Sequence, residues 1–175
     1  MNFFNHLSFT QILWLVPILF CLHNAEEAFF MEQWLKTADT PFKKFINARQ
    51  FIAATVLLTI GGFIVTFLGA AGSQDGAGVH LVIAIQAIIL INAFVPHIAA
   101  TFWYRQYQPG VVTAVLVNIP FSIFFFYRVL SAGSISRGEL LFLFLISPVA
   151  MFVIARIAQI LGGSIVGLFK KSEAQ

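Results

Sequence analysis

Long apolar stretches separated by short clusters of polar and turn-forming residues organise the whole chain. The hydrocarbon core of a bilayer is about 30 Å thick, and roughly 20 residues of helix, rising about 1.5 Å each, cross it. Five stretches reach that length: about Phe9 to Met31, Ile46 to Ala70, Val79 to Phe102, Val111 to Leu130 and Glu139 to Ile157. Between them stand Thr40-Pro41, Gly72-Ser73-Gln74-Asp75-Gly76, Gln108-Pro109-Gly110 and Ser131-Ala132-Gly133-Ser134, which stop helices and make turns. The pattern predicts an all-α integral membrane bundle of five transmembrane helices in a single domain, residues 1–175, without linker or clear repeat. Residues 158–169 contain Gly162, Gly163 and Gly167. The pattern leaves open whether they prolong the fifth helix or lie along the interface.

Composition agrees. With 59% hydrophobic residues, 10% charged and a mean hydropathy of +0.91, the chain cannot cover a soluble surface with polar groups. Cys21, the single cysteine, lies in an apolar run, so no intrachain disulfide forms. Met1 to Gln11 carries no Lys or Arg, and no small-residue cleavage site follows the first apolar run, so that run is expected to stay in the mature protein.

The basic residues stand mostly singly at the ends of apolar stretches, a placement that orients a membrane chain and argues against a nucleic-acid partner. Lys36, Lys43, Lys44, Arg49, Arg105, Lys170 and Lys171 fall on one side, Arg128 and Arg137 on the other. The excess of basic residues predicts an outside N-terminus and a cytoplasmic C-terminus, in a cell (plasma or inner) membrane.

Polar residues within the apolar stretches share a depth. Trp14 and Trp34 are 20 residues apart, about 30 Å of rise, and fit the two interfacial belts of one helix. On that ruler Glu26 and Glu27 lie roughly 10 to 12 Å inside the membrane, and His23 lies nearer the midplane. In the third stretch His97 stands about 9 Å above Trp103, and in the fourth Asn118 stands about 12 Å beyond Gly110. His23, Glu26 and Glu27 have i, i+3, i+4 spacing and share one side of a helix. Asn92 and His97 are about 140° apart on an ideal helix, but Pro96 cannot donate to the Asn92 carbonyl, so whether both face one cavity stays open. Pro17, Pro120 and Pro148 likewise free carbonyls, and kinked helices leave room for a cavity.

A charge at mid-helix costs roughly 2.5 to 3.5 kcal/mol on insertion scales, so two carboxylates beside a histidine need an offset. A metal site or a proton-transfer centre supplies one; a structural ion pair in a helix interface is the plainer alternative. His23, Glu26, Glu27 and His97 are the candidate metal ligands, and Glu26, Glu27, Asn92 and Asn118 the candidate catalytic groups. Arg49 with Gln50 reads as an interfacial anchor, and Arg156 as a side chain that snorkels at the end of the fifth helix. Most of the 21 Phe are expected to face lipid or to pack between helices.

His23-Asn24-Ala25-Glu26-Glu27, Asn92 to His97, and Tyr107-Gln108-Pro109-Gly110 together resemble the HXXEE domain family of small integral membrane proteins, across about the first to the fourth helix. That resemblance implies a membrane enzyme with its site at His23, Glu26 and Glu27, adds His97, and supplies neither substrate nor reaction. Three functions follow from the residues. The first is a hydrolase-type membrane enzyme in which a divalent transition metal, zinc or iron, acts on a lipid-like or other hydrophobic small-molecule substrate. The second is a metal-independent proton-transfer isomerase. The third is a carrier that binds a small ligand or cation, against which stand the chain's size and the lack of an inverted repeat. Membrane lipids are the expected surroundings, and oligomeric state is not legible.

Overall fold

The structure, a computed structural model, describes residues 6–172. Met1 to Asn5 and Glu173 to Gln175, the ends of the expected single domain, lie outside the described residues. Helix α1 spans Phe9–Thr37, α2 Ala48–Ala70, α3 Ala77–Tyr104, α4 Val111–Ser131 and α5 Arg137–Ser172. A 3₁₀ turn over Pro41–Phe45 joins α1 to α2, and no strand occurs among the described residues.

Local chemistry sets the ends. Ser8 and Gln11 form a capping box at α1, each side chain bonding the other's backbone N–H. Asn47 caps α2 by accepting from Gln50 N. Arg105 ends α3 in the left-handed region at φ 51°, and Gly110 opens α4 at φ 90°. Ser136 and Glu139 reciprocate at the start of α5. That helix continues unbroken through Gly162, Gly163 and Gly167, so residues 158–169 prolong it, to roughly 54 Å for its 36 residues.

All five helices are long and apolar enough to cross a membrane, and the side chains facing outward are apolar. Phe29, Phe102, Leu116 and Leu145 are each at least 70% exposed, which suits lipid and not water. This is a multi-pass membrane protein. Lipid tails are as apolar as leucine, so close packing and small residues hold the helices together. A Cβ on Gly78 would lie 2.8 Å from Gly69 Cα, so α2 and α3 meet backbone to backbone there. A Cβ on Gly162 would lie 2.8 Å from the Gln50 carbonyl oxygen, and α5 meets α2 in the same way.

The interior divides into two halves. Towards the α2–α3 and α4–α5 turns it is an apolar core, with Ile12, Leu13 and Val16 of α1 against Val79, Val82 and Ile83 of α3 and Phe121, Phe125 and Val129 of α4. At the end that carries Lys36, Lys43 and Lys44, the interior is polar. Between the halves Gln86 donates to Ser122 Oγ at 2.7 Å, and Ser122 donates to the Asn118 carbonyl at 2.6 Å. Trp34 does not face lipid as a belt residue; it is 9% exposed and packs inward with Met31 and Ala38.

Two of the interior prolines coincide with breaks in the polar half. α3 widens into a π-type turn over Ala93–Ile98, where Val95 leaves helical geometry at φ −133°, ψ 112°, and the Val95–Pro96 peptide is cis. α4 has a second π-type turn over Ala114–Asn118, just before Pro120. Such turns re-aim side chains and are frequent at functional sites. Pro17 and Pro148 lie inside continuous helices.

Candidate functional site

The polar residues of the α1 motif each turn to a different neighbour. Asn24 donates to Thr59 Oγ1 at 2.8 Å and to the Thr55 carbonyl at 3.3 Å, tying α1 to α2. His23 and Glu27, one turn apart, face α3. Glu26 faces α4.

On the α3 side three potential metal ligands converge. His97 Nε2 lies 3.3 Å from Glu27 Oε1, and His23 Nε2 lies 3.8 Å from the same oxygen. One ligand atom from each of the three residues lies within 4.8 Å of the others, so His23, Glu27 and His97 form a group that can hold a metal ion. Bond lengths of about 2.0 to 2.2 Å to a tetrahedral ion place neighbouring N and O ligands about 3.3 to 3.6 Å apart, which the His97–Glu27 spacing matches and the His23–Glu27 spacing slightly exceeds. The two imidazoles meet edge to face, with centroids 4.7 Å apart, and both are buried. Asn92 Nδ2 sits 2.9 Å from His97 Nε2 and 3.3 Å from His23 Nε2. The question of whether Asn92 and His97 face one cavity is thereby answered: the departure from helix at Val95 removes the angle that an ideal helix would impose.

Glu26, an expected ligand, stands outside this group. Its Oε1 accepts from the Tyr107 hydroxyl at 2.6 Å and from Val112 N at 3.2 Å. Its Oε2 accepts from Thr113 N at 2.7 Å and Thr113 Oγ1 at 2.6 Å. The first N–H groups of a helix lack partners within it and carry the positive end of its dipole, so Glu26 serves as a cap that α1 lends to α4. The insertion cost of this carboxylate is met by four donors. Burial, with the Glu26 carboxylate as second cause, pushes the Tyr107 phenol above its ordinary pKa and keeps it a donor.

Thr113 links the two halves of the motif. Its hydroxyl has one proton, given to Glu26, so its oxygen accepts from His23 Nδ1 at 2.9 Å. The His23 proton is then on Nδ1, which leaves Nε2 an acceptor, 3.3 Å from Asn92 Nδ2 and 3.8 Å from Glu27 Oε1. Replacing Thr113 by valine keeps the shape and removes the relay. Affinity of the group for a divalent ion is expected to fall about 10–100-fold, the usual effect of losing a hydrogen-bond partner behind a metal ligand. Thr113→Ser is expected to restore it, and equal zinc affinity in the valine variant by titration would show the relay idle.

Gly110 forms the floor. A Cβ there would lie 2.8 Å from Cε1 of both His23 and His97 and 2.9 Å from Glu27 Cγ. Asn118, expected at the same depth, is buried, but its side-chain nitrogen has no partner among the described residues. What α4 brings to the cluster is its first turn, Gly110 and Thr113. Tyr107 and Gly110 were visible in the sequence as part of a motif; nothing marked Thr113.

A cavity of about 320 Å³ lies between α1, α2, α3 and α5, with Glu27 and Asn92 in its wall. Its other lining is chiefly apolar, including Phe20, Leu58, Gly62, Ile85, Ile88 and Met151. On the opposite flank a cavity of about 650 Å³ is bordered by Glu26, Trp34, Tyr107 and Thr113.

The family described as "Protein of unknown function with HXXEE motif" matches residues 14–125, which contain every group of this cluster. The chain belongs to the HXXEE family. The uncharacterized protein YrkK of Bacillus subtilis (strain 168) is similar, 28% identical over 120 residues that cover 69% of this chain and 75% of the relative. No solved structure matches. In the HXXEE motif of this chain, the histidine and second glutamate belong to the metal-competent group and the first glutamate caps a helix.

Proposed function

We propose that this chain is a membrane-embedded, metal-dependent enzyme of the hydrolase type that acts on a lipid-like substrate. His23, Glu27 and His97 would hold a divalent transition metal, zinc or iron, and the N-terminus would lie outside a cell membrane. The observation that carries this reading is the convergence of two buried imidazoles on a carboxylate, Glu27, that stands in the wall of an apolar cavity. Two histidines and a glutamate are a donor set of catalytic zinc sites, and mixed imidazole and carboxylate ligation suits iron(II) as well. His23 is already presented through Nε2, and Gly110 leaves the group the room that a Cβ would fill.

Such an ion, when bound, polarises a carbonyl or phosphoryl oxygen and lowers the pKa of water. The chain's own residues do the rest. Glu26 and Thr113 fix the His23 ring. Asn92, whose amide lies on both Nε2 atoms, would be released once an ion took those lone pairs, and from the cavity wall would then offer a neutral donor to the oxygen of the group attacked. Glu26 has its oxygens engaged by four donors and is badly placed to take a substrate proton, so it acts by positioning. Asn118 has no part in this reading.

Full-length protein purified in detergent is expected to carry about one transition-metal ion per chain, and to regain it after chelation. Metal-free protein that takes up neither Zn²⁺ nor Fe²⁺ in titration would overturn the reading.

One observation favours a second reading. The Asn92 amide reaches both Nε2 atoms, so those two acceptors already have a protein partner, and Glu27 borders the apolar cavity. That arrangement suits metal-independent proton transfer to and from an apolar substrate, as in a double-bond isomerase. Solvent deuterium entering an isoprenoid in the presence of chelator would select it.

A further inference from the structure

We propose that the enzyme takes a single-chain anionic amphiphile from the bilayer, with its head at Arg156 and its chain in the apolar cavity beside Glu27. The inference rests on the proposed function for which group reacts, and on separate residues for what binds.

A cavity of about 380 Å³ opens at the lysine-rich end of the bundle, bordered by Asn47, Gln50, Arg156, Gln159 and Ser164. It shares Phe51 and Gln159 with the apolar cavity, so the two adjoin. Polar mouth and apolar interior in series match an amphiphile. Arg156 is the single cation lining either space, and among the described residues no carboxylate pairs with it. Its Nη1 donates to Gln159 Oε1 at 2.9 Å. A guanidinium has five N–H donors in a planar fork that matches a carboxylate or a phosphate, so most of them stay available to a head group.

Depth agrees. Arg156 is 19 residues beyond the start of α5, about 29 Å of rise, at which a spanning helix emerges from the hydrocarbon. It stands level with Asn47 and Gln50 at the start of α2, across the shared cavity. The glycines of α5 bring the two helices together there: a Cβ on Gly163 would lie 2.8 Å from Gln50 Nε2. The volume of about 320 Å³ lies at the small end of the roughly 300–1,000 Å³ of ligand sites, which suits one chain and not two. Arg156 and all of α5 lie outside residues 14–125, so head selection belongs to a part of this chain that the family match does not cover.

The test uses full-length protein in phosphatidylcholine nanodiscs and a dodecyl phosphate that carries a diazirine near its chain end. Label is expected on Leu58, Ile88 or Met151, and unlabelled dodecyl phosphate should compete where dodecanol and inorganic phosphate do not. Arg156→Gln is expected to weaken labelling about tenfold, the worth of one charge-assisted contact, and Arg156→Lys to retain most of it. Leu58→Trp, which fills the cavity, should block labelling whatever the head group. Equal labelling by a neutral dodecanol probe, competition by inorganic phosphate, or an unaffected Arg156→Gln variant overturns the proposal and leaves Arg156 as a snorkelling anchor. A parallel zinc titration keeps the two readings apart: charge-selective labelling without metal uptake upholds this inference and sinks the metal, and the reverse result does the opposite.

Discussion

Gly110→Ala is expected to cost the bundle roughly 2 to 5 kcal/mol and to disperse the His23, Glu27 and His97 group. The first contribution is conformational. Gly110 sits at φ 90°, ψ −12°, and an L side chain in the left-handed region costs about 1–2 kcal/mol. The second is steric: the new methyl would stand 2.8 to 2.9 Å from three side-chain carbons at once, and overpacking costs about 1–3 kcal/mol. Those carbons belong to the three candidate ligands on α1 and α3, so relief of the overlap moves the ligands themselves. Gly133→Ala separates the two effects. It shares the positive φ, at 69°, but meets nothing within 4 Å, so it should cost only the conformational share and leave metal uptake intact. Thermal unfolding in detergent with zinc titration reads both, and a Gly110→Ala protein that behaves as wild type would remove Gly110 from the site.

Level along the bundle was legible in the sequence, and direction was not. Rise per residue is fixed, so counting along each helix brings His23, Glu27 and His97 to one level whatever their helices do sideways. The five spans were legible for a similar reason, because an apolar run long enough to cross hydrocarbon has few other uses. Angles around a helix accumulate, and one break resets them. Asn92 and His97 meet at 2.9 Å only because α3 opens at Val95, which an ideal helix cannot express. Asn118 had the right depth, yet the α4 residues that touch the cluster are Gly110 and Thr113, the first turn of the helix. The glycines at 162 and 163 left two readings open because glycine both stops helices and lets them touch; here they touch, with Gln50 as neighbour.

Two adjacent carboxylates looked like one expensive feature, and the helix geometry sends them to two different neighbours, with four donors meeting Glu26. At about 100° per residue, Glu27 lies about 40° to one side of His23 and Glu26 about 60° to the other. Glu27 therefore meets the imidazoles and Glu26 the open end of α4, where Val112 N and Thr113 N need an acceptor. The pair is joined again by Thr113, which bonds Glu26 and His23 together, so the cap also orients the candidate ligand His23.

That division leads to opposite results for the two glutamates. Glu27→Ala deletes one of three candidate ligands and leaves two buried imidazoles, a set too small to hold zinc or iron, so metal uptake by the purified protein is expected to disappear. Glu26→Gln keeps one amide oxygen for the α4 N–H groups but gives up the charge, and its amide nitrogen cannot accept from Thr113 or Tyr107. Metal should remain, with affinity lower by about 10–100-fold through a poorly held His23. The same variant should weaken the start of α4, because a charge-assisted bond to a helix N-terminus is worth about 0.3 to 2 kcal/mol, whereas Glu27→Ala should leave that end intact. Hydrogen exchange at Val112 and Thr113, read beside metal content, separates the roles. Loss of metal in Glu26→Gln with retention in Glu27→Ala would reverse the assignment and make Glu26 the ligand.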